Sequence, residues 1–562
     1  MTRLSSPTVG RWVPGLGMLT RYKRSWLRSD LVAGVVLAAI LVPQGMAYAE
    51  LAGLPAVNGL YTTVACLVGY AIFGPSRVLV LGPDSSLGPL IFAAIVPLTI
   101  TGDPAELIAL AGFLALLVGA IEIGLGLGKL GFVADLLSKE VQVGYMIGLG
   151  VTIVVGQLPK LFGFSTDGDD FIEDVKAFVS GLDQRNRDTL IVGLAALALM
   201  LVLPRFTSRI PAVLITVILS TLAVSVFDLT SKGVTTVGSL PQGFPRPQIP
   251  SVDLGDVGAL LAAAVGITLV SLADTIATST SFAARRGDEV NASQEMIGIG
   301  AANAFAGLFQ GFPISTSGSR TAVAEKSGAK SQVTGLVGAA LVVVMLVLLP
   351  DLLSNLPNSA LAAIVIAAAL SLMDVTAARK FFRIRKSAFV LMLTATLGVI
   401  FFGVLEGILI AVALSILMFF RRSWWPKGEI LGRVDSLDSW HSIRRYPEGT
   451  QVPGVVVFRW EAPLFFANAG QFRQEVRSMV RQSDVRWVIV QCEAMTDIDV
   501  TAADMLERLD KELNGQGVNM LFVELRSRLH DLVVRYGLLE TLDHTHFYPS
   551  VDEALAAIGR DA

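Results

Sequence analysis

Two short stretches, far apart in the chain, carry residue types suited to holding an anion. The first reads Gly-Phe-Pro-Ile-Ser-Thr-Ser-Gly-Ser-Arg-Thr from Gly311 to Thr321, placing the hydroxyls of Ser315, Thr316, Ser317 and Ser319, the small Gly318 and the cation Arg320 at the start of about ten helical residues. The second reads Gly-Pro-Asp-Ser-Ser from Gly82 to Ser86, just before another helix start near Pro89, with Ser85 and Ser86 as hydroxyl donors. A helix N-terminus presents unpaired amides and partial positive charge, so two such tips meeting at mid-depth would form one anion site. Arg320 would add a full charge there; its other reading is an anchor snorkelling toward the cytoplasmic end. Asp84 puts a negative charge beside the same site, either as a cap of the short helix or as a second proton acceptor. Asp274 is the lone carboxylate in an apolar stretch from Leu260 to Phe282, a pattern that marks a proton or cation site, or else a fixed ion pair with Arg320. Gln44 and Tyr48 lie four apart after Pro43, on one helical face that either lines a cavity or packs.

The elements that must position these residues are membrane spans. Of the 562 residues, 53% are apolar and only 16% charged, and the mean hydropathy is +0.63, too little polar surface for a water-soluble chain. Apolar stretches recur at 31–51, 58–74, 82–100, 105–127, 131–155, 189–204, 210–227, 256–281, 293–310, 317–327, 331–350, 357–373, 387–402 and 404–420. That predicts an α-helical polytopic protein of the cell membrane with about fourteen spans. Basic residues sort to one side. Arg11, Arg21, Lys23, Arg24 and Arg28 precede the first span, Arg379, Lys380, Arg383, Arg385 and Lys386 lie between the twelfth and thirteenth, and Arg77, Lys129, Arg205, Arg209, Arg285, Arg286, Lys326 and Lys330 alternate accordingly. Both termini are therefore expected in the cytoplasm, with the acid-bearing loops near Thr101, Pro350 and Glu406 outside.

The third and tenth spans are broken by Gly82-Pro83 and by Pro313 with its hydroxyls and glycines. Short, interrupted spans at matching positions of two halves point to an inverted-repeat transporter, with repeats expected over 30–227 and 256–422 of a membrane domain at 30–422. Residues 1–29 would precede it inside the cell. After a linker at 423–449, residues 450–562 read as a cytoplasmic α/β domain, with strands at 455–458, 487–490 and 520–523 and helices near 469–482, 501–515 and 526–537.

Several classes drop out. A formal charge of −3 leaves no basic surface for nucleic acid. Cys66 and Cys492 make neither a disulfide framework nor a thiolate metal site, and His544 with His546 is weak as a metal pair. No metal or other cofactor is expected. Neither a Walker-type phosphate loop nor a His-Glu-x-x-His motif is present, which disfavours a membrane enzyme. No cleavable signal peptide is expected either, because basic residues run from Arg3 to Arg28 before the first apolar stretch. The Asn-Ala-Ser at 291–293 would face the cytoplasm and is read as chance.

Pro43-Gln44-Gly45-Met46-Ala47-Tyr48-Ala49, Asn58-Gly59-Leu60-Tyr61, Gly82-Pro83, Phe282-Ala283 and Pro313-Ile314-Ser315 through Ser319-Arg320-Thr321 together resemble the signatures of the SulP (sulfate permease) anion transporters. The resemblance covers nearly the whole chain. It implies a seven-plus-seven inverted repeat divided into core and gate domains, elevator-like movement of the core, a cytoplasmic STAS domain and a homodimer. By the same resemblance Gln44, Tyr48, Ser317, Ser319 and Arg320 fall on anion-site positions and Asp274 on the acidic position linked to cation or proton coupling. Sodium-driven bicarbonate relatives lack an arginine at the Arg320 position, so the coupling ion expected here is the proton. Asp84 departs from the pattern, since many relatives carry an uncharged residue there. Asp499-Val500-Thr501-Ala502 is similar to the STAS turn whose hydroxyl is a kinase target in soluble relatives; a helix cap is the alternative for Thr501. The function expected is proton-coupled import of a sulfate-like oxyanion, with an uncoupled exchanger or channel, or a bicarbonate or dicarboxylate carrier, as alternatives.

Overall fold

The computed structural model describes residues 13–99, 102–131, 138–166, 168, 170–206, 211–482, 484–542 and 546–561. Arg3, Arg11, Thr101, Arg209 and His544, named above, lie outside these residues, as does the start of the fifth expected span at 132–137. The chain divides into two compact units, one running to Ser415 and one from Ile416.

In the first unit α1 (Pro14–Thr20) leads into α2 (Leu27–Leu51) and α3 (Ala56–Phe73). A two-residue strand, β1 (Leu81–Gly82), and the short α4 (Gly88–Ile95) follow, then α5 (Pro104–Leu127), α6 (Lys139–Phe162), α7 (Phe171–Ser180), α8 (Arg187–Phe206) and α9 (Ala212–Val226). The second half runs through α10 (Val257–Ala284), α11 (Ala292–Leu308), β2 (Ser315–Thr316) and α12 (Gly318–Lys326). It continues with α13 (Val333–Leu348), α14 (Asn358–Leu372), α15 (Val375–Ile384) and α16 (Lys386–Phe402), and α17 (Val404–Trp424) carries the chain from the first unit into the second. Every expected span contains a helix. Among the described residues seven stretches are long and apolar enough to cross a bilayer, whereas α9, α13 and α16 are apolar but shorter.

Two stretches read as loops are helical. Asp170 caps α7 by accepting from the Glu173 amide at 2.8 Å, and Asp374 caps α15 by accepting from the Ala377 amide at 2.8 Å. Both helices are short and amphipathic, so their few apolar positions are diluted by charge in a hydropathy reading.

The helices pack in two groups. In one, α11 lies against α5 and α3, α2 against α3 and α13, and α10 against α5 and α4; in the other, α6 lies against α14, α16 and α8, with α8 also touching α9 and α14. Helices α2 and α3 meet backbone to backbone, because a Cβ on Gly59 would stand 1.9 Å from the Gly45 carbonyl oxygen. Buried Asp30 of α2 holds the start of α13: its Oδ1 accepts from the Lys330 amide at 2.7 Å, the Ser331 amide at 3.2 Å and the Thr334 hydroxyl at 3.0 Å. A carboxylate there complements the partial positive charge of the helix end.

The second unit contains a six-stranded sheet of β3 (Gly428–Val434), β4 (Ser439–Ser442), β5 (Val455–Trp460), β6 (Trp487–Gln491), β7 (Asn519–Val523) and β8 (Phe547–Tyr548) in the order β4-β3-β5-β6-β7-β8. Strands β5 to β8 are parallel, and β3 runs antiparallel to β4 and β5. The helices are α18 (Ala469–Gln482), α19 (Val500–Asn514), α20 (Ser527–Arg535), α21 (Leu538–Thr541) and α22 (Val551–Asp561). Alternation along β5 sends Val456 and Phe458 to a core shared with α18 to α21, and Val455 and Val457 to one shared with α22. The expected linker at 423–449 is therefore corrected: it contains β3 and β4, the antiparallel edge of the sheet, with Leu431 and Val434 buried.

Candidate functional site

The two interrupted segments meet. Strands β1 and β2 pair antiparallel, Leu81 with Thr316 and Gly82 with Ser315, and the Ser317 amide donates to the Val80 carbonyl at 3.2 Å. Proline and glycine break each helix, and the extended residues that result satisfy one another across the junction. Ser317 caps α12, its hydroxyl accepting from the Arg320 amide at 3.5 Å and lying 3.0 Å from the Ser319 hydroxyl. The start of α12 leaves the Gly318 and Ser319 amides without intrahelical partners.

Beside this junction lies a cavity of about 1050 Å³ between the two helix groups. Gln44, Tyr48, Asp84, Ser85, Asp274 and the run from Thr316 to Arg320 all line it, whereas Ser86 and Ser315, also expected as donors, do not. Met146 of α6, Met200 of α8 and Ile364 of α14 give the opposite wall an apolar character. Gln44 Oε1, Ser315 Oγ, Thr316 Oγ1 and Arg320 Nε are buried and make no hydrogen bond within the protein.

The charges are arranged differently from the expected Asp274–Arg320 pair. Arg320 is 1% exposed, and its Nη1 donates to the Pro83 carbonyl at 2.6 Å. Its Nη2 lies 3.5 Å from the Gly82 carbonyl oxygen and 3.4 Å from Asp84 Oδ2. The guanidinium is wrapped around the end of β1, and the residue following Pro83 becomes its counter-ion. Asp84 Oδ1 accepts from the Ser86 amide at 3.0 Å and the Ser86 hydroxyl at 2.8 Å. Asp84 thus shapes the turn before α4, whereas the residue at the helix cap itself, Leu87, makes no side-chain cap bond. Asp274 stands one hydroxyl further on, with Oδ2 3.4 Å from Ser86 Oγ and Oδ1 accepting from Gln142 Nε2 at 3.3 Å. A chain of contacts runs Arg320, Asp84, Ser86, Asp274, Gln142.

Two polar residues outside the expected set stand close by. Gln142 brings α6 of the second helix group to Asp274; in the sequence it is a polar residue in the first turn of that helix, just after Lys139 and Glu140, which masks it as part of a charged helix end. Glu122 of α5 is fully buried behind β2: Oε1 accepts from Ser271 at 2.9 Å and Oε2 from Asn303 at 2.8 Å, while Asn303 Oδ1 accepts from the Ile314 amide at 2.9 Å. The criterion that singled out Asp274, an isolated carboxylate inside a span, applies equally to Glu122.

In the second unit Asp499, not Thr501, caps α19, accepting from the Ala502 amide at 2.8 Å and the Phe466 amide at 2.8 Å. Thr501 is exposed on the first turn. Cys492 is buried and free, and burial pushes its thiol up to about 12. Among the described residues no cluster of three or more His, Cys, Asp or Glu could hold a metal.

The profile of the Sulfate permease family matches residues 27–395, and that of the STAS domain matches residues 446–554. A probable sulfate transporter of Mycobacterium tuberculosis is 39% identical over 555 residues, covering 98% of this chain and 99% of the relative. Sulfate transporter 4.1, chloroplastic, of Arabidopsis thaliana is 29% identical, covering 97% and 82%. Among solved structures, murine Solute Carrier 26 family member A9, an anion transporter in the inward-facing state, superposes with a TM-score of 0.89 at 25% identity, covering 99% of this chain and 96% of that one. The transmembrane domain of the cyanobacterium bicarbonate transporter BicA shares the fold at a TM-score of 0.61 and 22% identity, over 70% of this chain and 98% of that one.

Proposed function

Because this chain belongs to the sulfate permease family of anion transporters, we propose that it imports a sulfate-like oxyanion together with protons. The substrate reading rests on the donors gathered at the junction of β1 and β2 and on relatives named as sulfate transporters. An anion entering the cavity meets the Gly318 and Ser319 amides, the hydroxyls of Ser85, Thr316, Ser317 and Ser319, and the field of Arg320. Gln44 and Tyr48 close the site from α2. The apolar wall opposite limits water and strengthens those interactions.

The observation that carries proton coupling is the row Arg320, Asp84, Ser86, Asp274. With every group ionised, one guanidinium and two carboxylates sum to a single negative charge, which repels an anion. Ser86 faces a carboxylate on each side and has one hydroxyl hydrogen to give. A proton on Asp274 resolves both conflicts: it brings the row to neutrality and lets Asp274 donate to Ser86 while Ser86 donates to Asp84. Proton and anion then bind with positive coupling. The anion crosses by elevator-like sliding of the group holding α2, α4, α10 and α12 against the group holding α6, α8 and α14. The protein works as a homodimer, with its termini and STAS domain in the cytoplasm.

The test is uptake of labelled sulfate by proteoliposomes of the full chain, with and without an inward proton gradient. Accumulation above equilibrium only with the gradient supports the reading, and gradient-independent equilibration returns it to an uncoupled exchanger or channel.

A further inference from the structure

Helix α15 carries Arg379, Lys380 and Arg383, Arg385 and Lys386 follow at once, and no acid lies between Val375 and Lys386. All five cations are exposed, and among the described residues none is paired with a carboxylate. The helix has two unlike faces. Ala377 and Phe381 pack with Val143 and Ile147 of α6 and Met392 of α16. The other face exposes Val375 and Phe382, the latter 62% exposed, and neighbouring Ile384 is 71% exposed. Bare aromatic and aliphatic surface beside unpaired arginines is a costly arrangement in water and a favourable one at a membrane boundary.

The position of α15 puts it at that boundary. It connects α14 to α16, two apolar helices, with only residues 373–374 before it and Arg385 after it. A ten-residue helix so tethered lies where the two helices leave the hydrocarbon. Against it is a cavity of about 450 Å³ lined by Val375, Ala378, Arg379, Phe382, Arg383 and Phe389. Arg379 and Arg383 are one turn apart and stand on the same face. The Phe382 and Phe389 rings meet edge to face with centroids 5.1 Å apart.

We propose that this cavity binds the headgroup phosphate of an anionic phospholipid between Arg379 and Arg383, with the acyl chain laid along Phe382 and Phe389. Two guanidiniums on one face match a phosphodiester, and the aromatic pair matches the glycerol and first methylenes below it. A free phosphate would use the arginines and gain nothing from the rings. The site lies on a different helix pair from the proposed transport cavity and does not depend on that reading.

The test uses the full chain in a zwitterionic detergent, titrated with short-chain phosphatidylglycerol, phosphatidylcholine or inorganic phosphate, with retained ligand counted by native mass spectrometry. Phosphatidylglycerol should bind at least tenfold tighter than either competitor. Arg379→Gln/Arg383→Gln should lose roughly twenty-five-fold, about fivefold for each interfacial cation removed, and Arg379→Lys/Arg383→Lys should recover part of the loss. Phe382→Ser should weaken phosphatidylglycerol while leaving inorganic phosphate unchanged. Equal binding of phosphatidylcholine, equal binding of inorganic phosphate, or an unaltered phosphatidylglycerol preference in the double Gln variant would each overturn the proposal.

Discussion

Arg320 and Asp84 form an ion pair across the junction of the two interrupted segments, Nη2 to Oδ2 at 3.4 Å, and the same guanidinium holds the carbonyl of Pro83 at 2.6 Å. Arg320 is therefore a strut of the tip as well as its charge. Removing it takes the cation away from the Pro83 carbonyl and from Asp84 Oδ2, leaving Asp84 only the Ser86 donors at its Oδ1. Breaking a buried pair costs about 3–5 kcal/mol, so Arg320→Ala should lower stability as well as anion affinity. Arg320→Lys should restore only part of both, because an ammonium cannot reach both carbonyls and the carboxylate with a fixed fork. In a double-mutant cycle by thermal unfolding, Arg320→Ala and Asp84→Ala should couple by more than about 1 kcal/mol. Additive effects would deny the pair its structural role.

Asp84→Asn should separate charge from architecture. The amide keeps an acceptor for the Ser86 hydroxyl and removes one negative charge from the row. Sulfate affinity should rise in this variant, because one negative charge fewer faces the anion. Weaker binding would make the Asp84 carboxylate a needed part of the site.

Glu122 should tolerate Gln and reject Ala. Its partners are the hydroxyl of Ser271 and the amide of Asn303; Ser271 also lies 3.2 Å from the Ile314 carbonyl, so it can turn its hydrogen there and accept from a Gln amide. Glu122→Gln should unfold near the wild-type temperature. Glu122→Ala strands the buried Asn303 amide, which costs about 1–3 kcal/mol, and also leaves a void, whereas Ser271 can still donate to Ile314. A Gln variant as unstable as the Ala variant would show that the carboxyl group itself is required.

In the second unit, Asp552 joins α22 to the sheet edge: Trp440 Nε1 donates to it at 3.0 Å and Arg433 Nη1 reaches both its oxygens, at 2.8 and 2.7 Å. The Trp440 hydrogen bond, helped by Arg433, holds its carboxyl below the usual carboxylate range. A lowered folded value stabilises the fold above about pH 4 and is lost as the pH falls through that value. Asp552→Asn should reduce hydrogen-exchange protection of α22 at pH 7, and the difference from wild type should shrink as the pH falls below the usual carboxylate range. A difference that persists in acid would trace to packing instead.

Much of the site was legible in the sequence because its signals are local. Gly82-Pro83 and Pro313 break helices wherever they stand, and the four-residue spacing of Gln44 and Tyr48 puts both on the cavity wall. The partner of Arg320 was not legible. It depends on the pairing of Leu81 with Thr316, a contact across more than half of the first unit, which brings Asp84 to the guanidinium and leaves Asp274 behind Ser86. Strand β3 was hidden for another reason: as an antiparallel strand near the sheet edge it mixes Glu429, Gly432 and Arg433 with its apolar residues and lacks the run of Val and Ile that marks β5 and β6.

The central claim is that Asp274 takes up the proton that lets the anion bind, and proton entry during sulfate uptake tests it most directly. Proteoliposomes holding a trapped pH dye and the full chain would be given sulfate outside without any imposed gradient. The wild type should acidify the lumen as sulfate enters, and Asp274→Asn, fixed in the neutral form, should still exchange sulfate but acidify nothing. Sulfate entry into wild-type vesicles with no change in internal pH, or undiminished acidification by the Asn variant, would contradict the account.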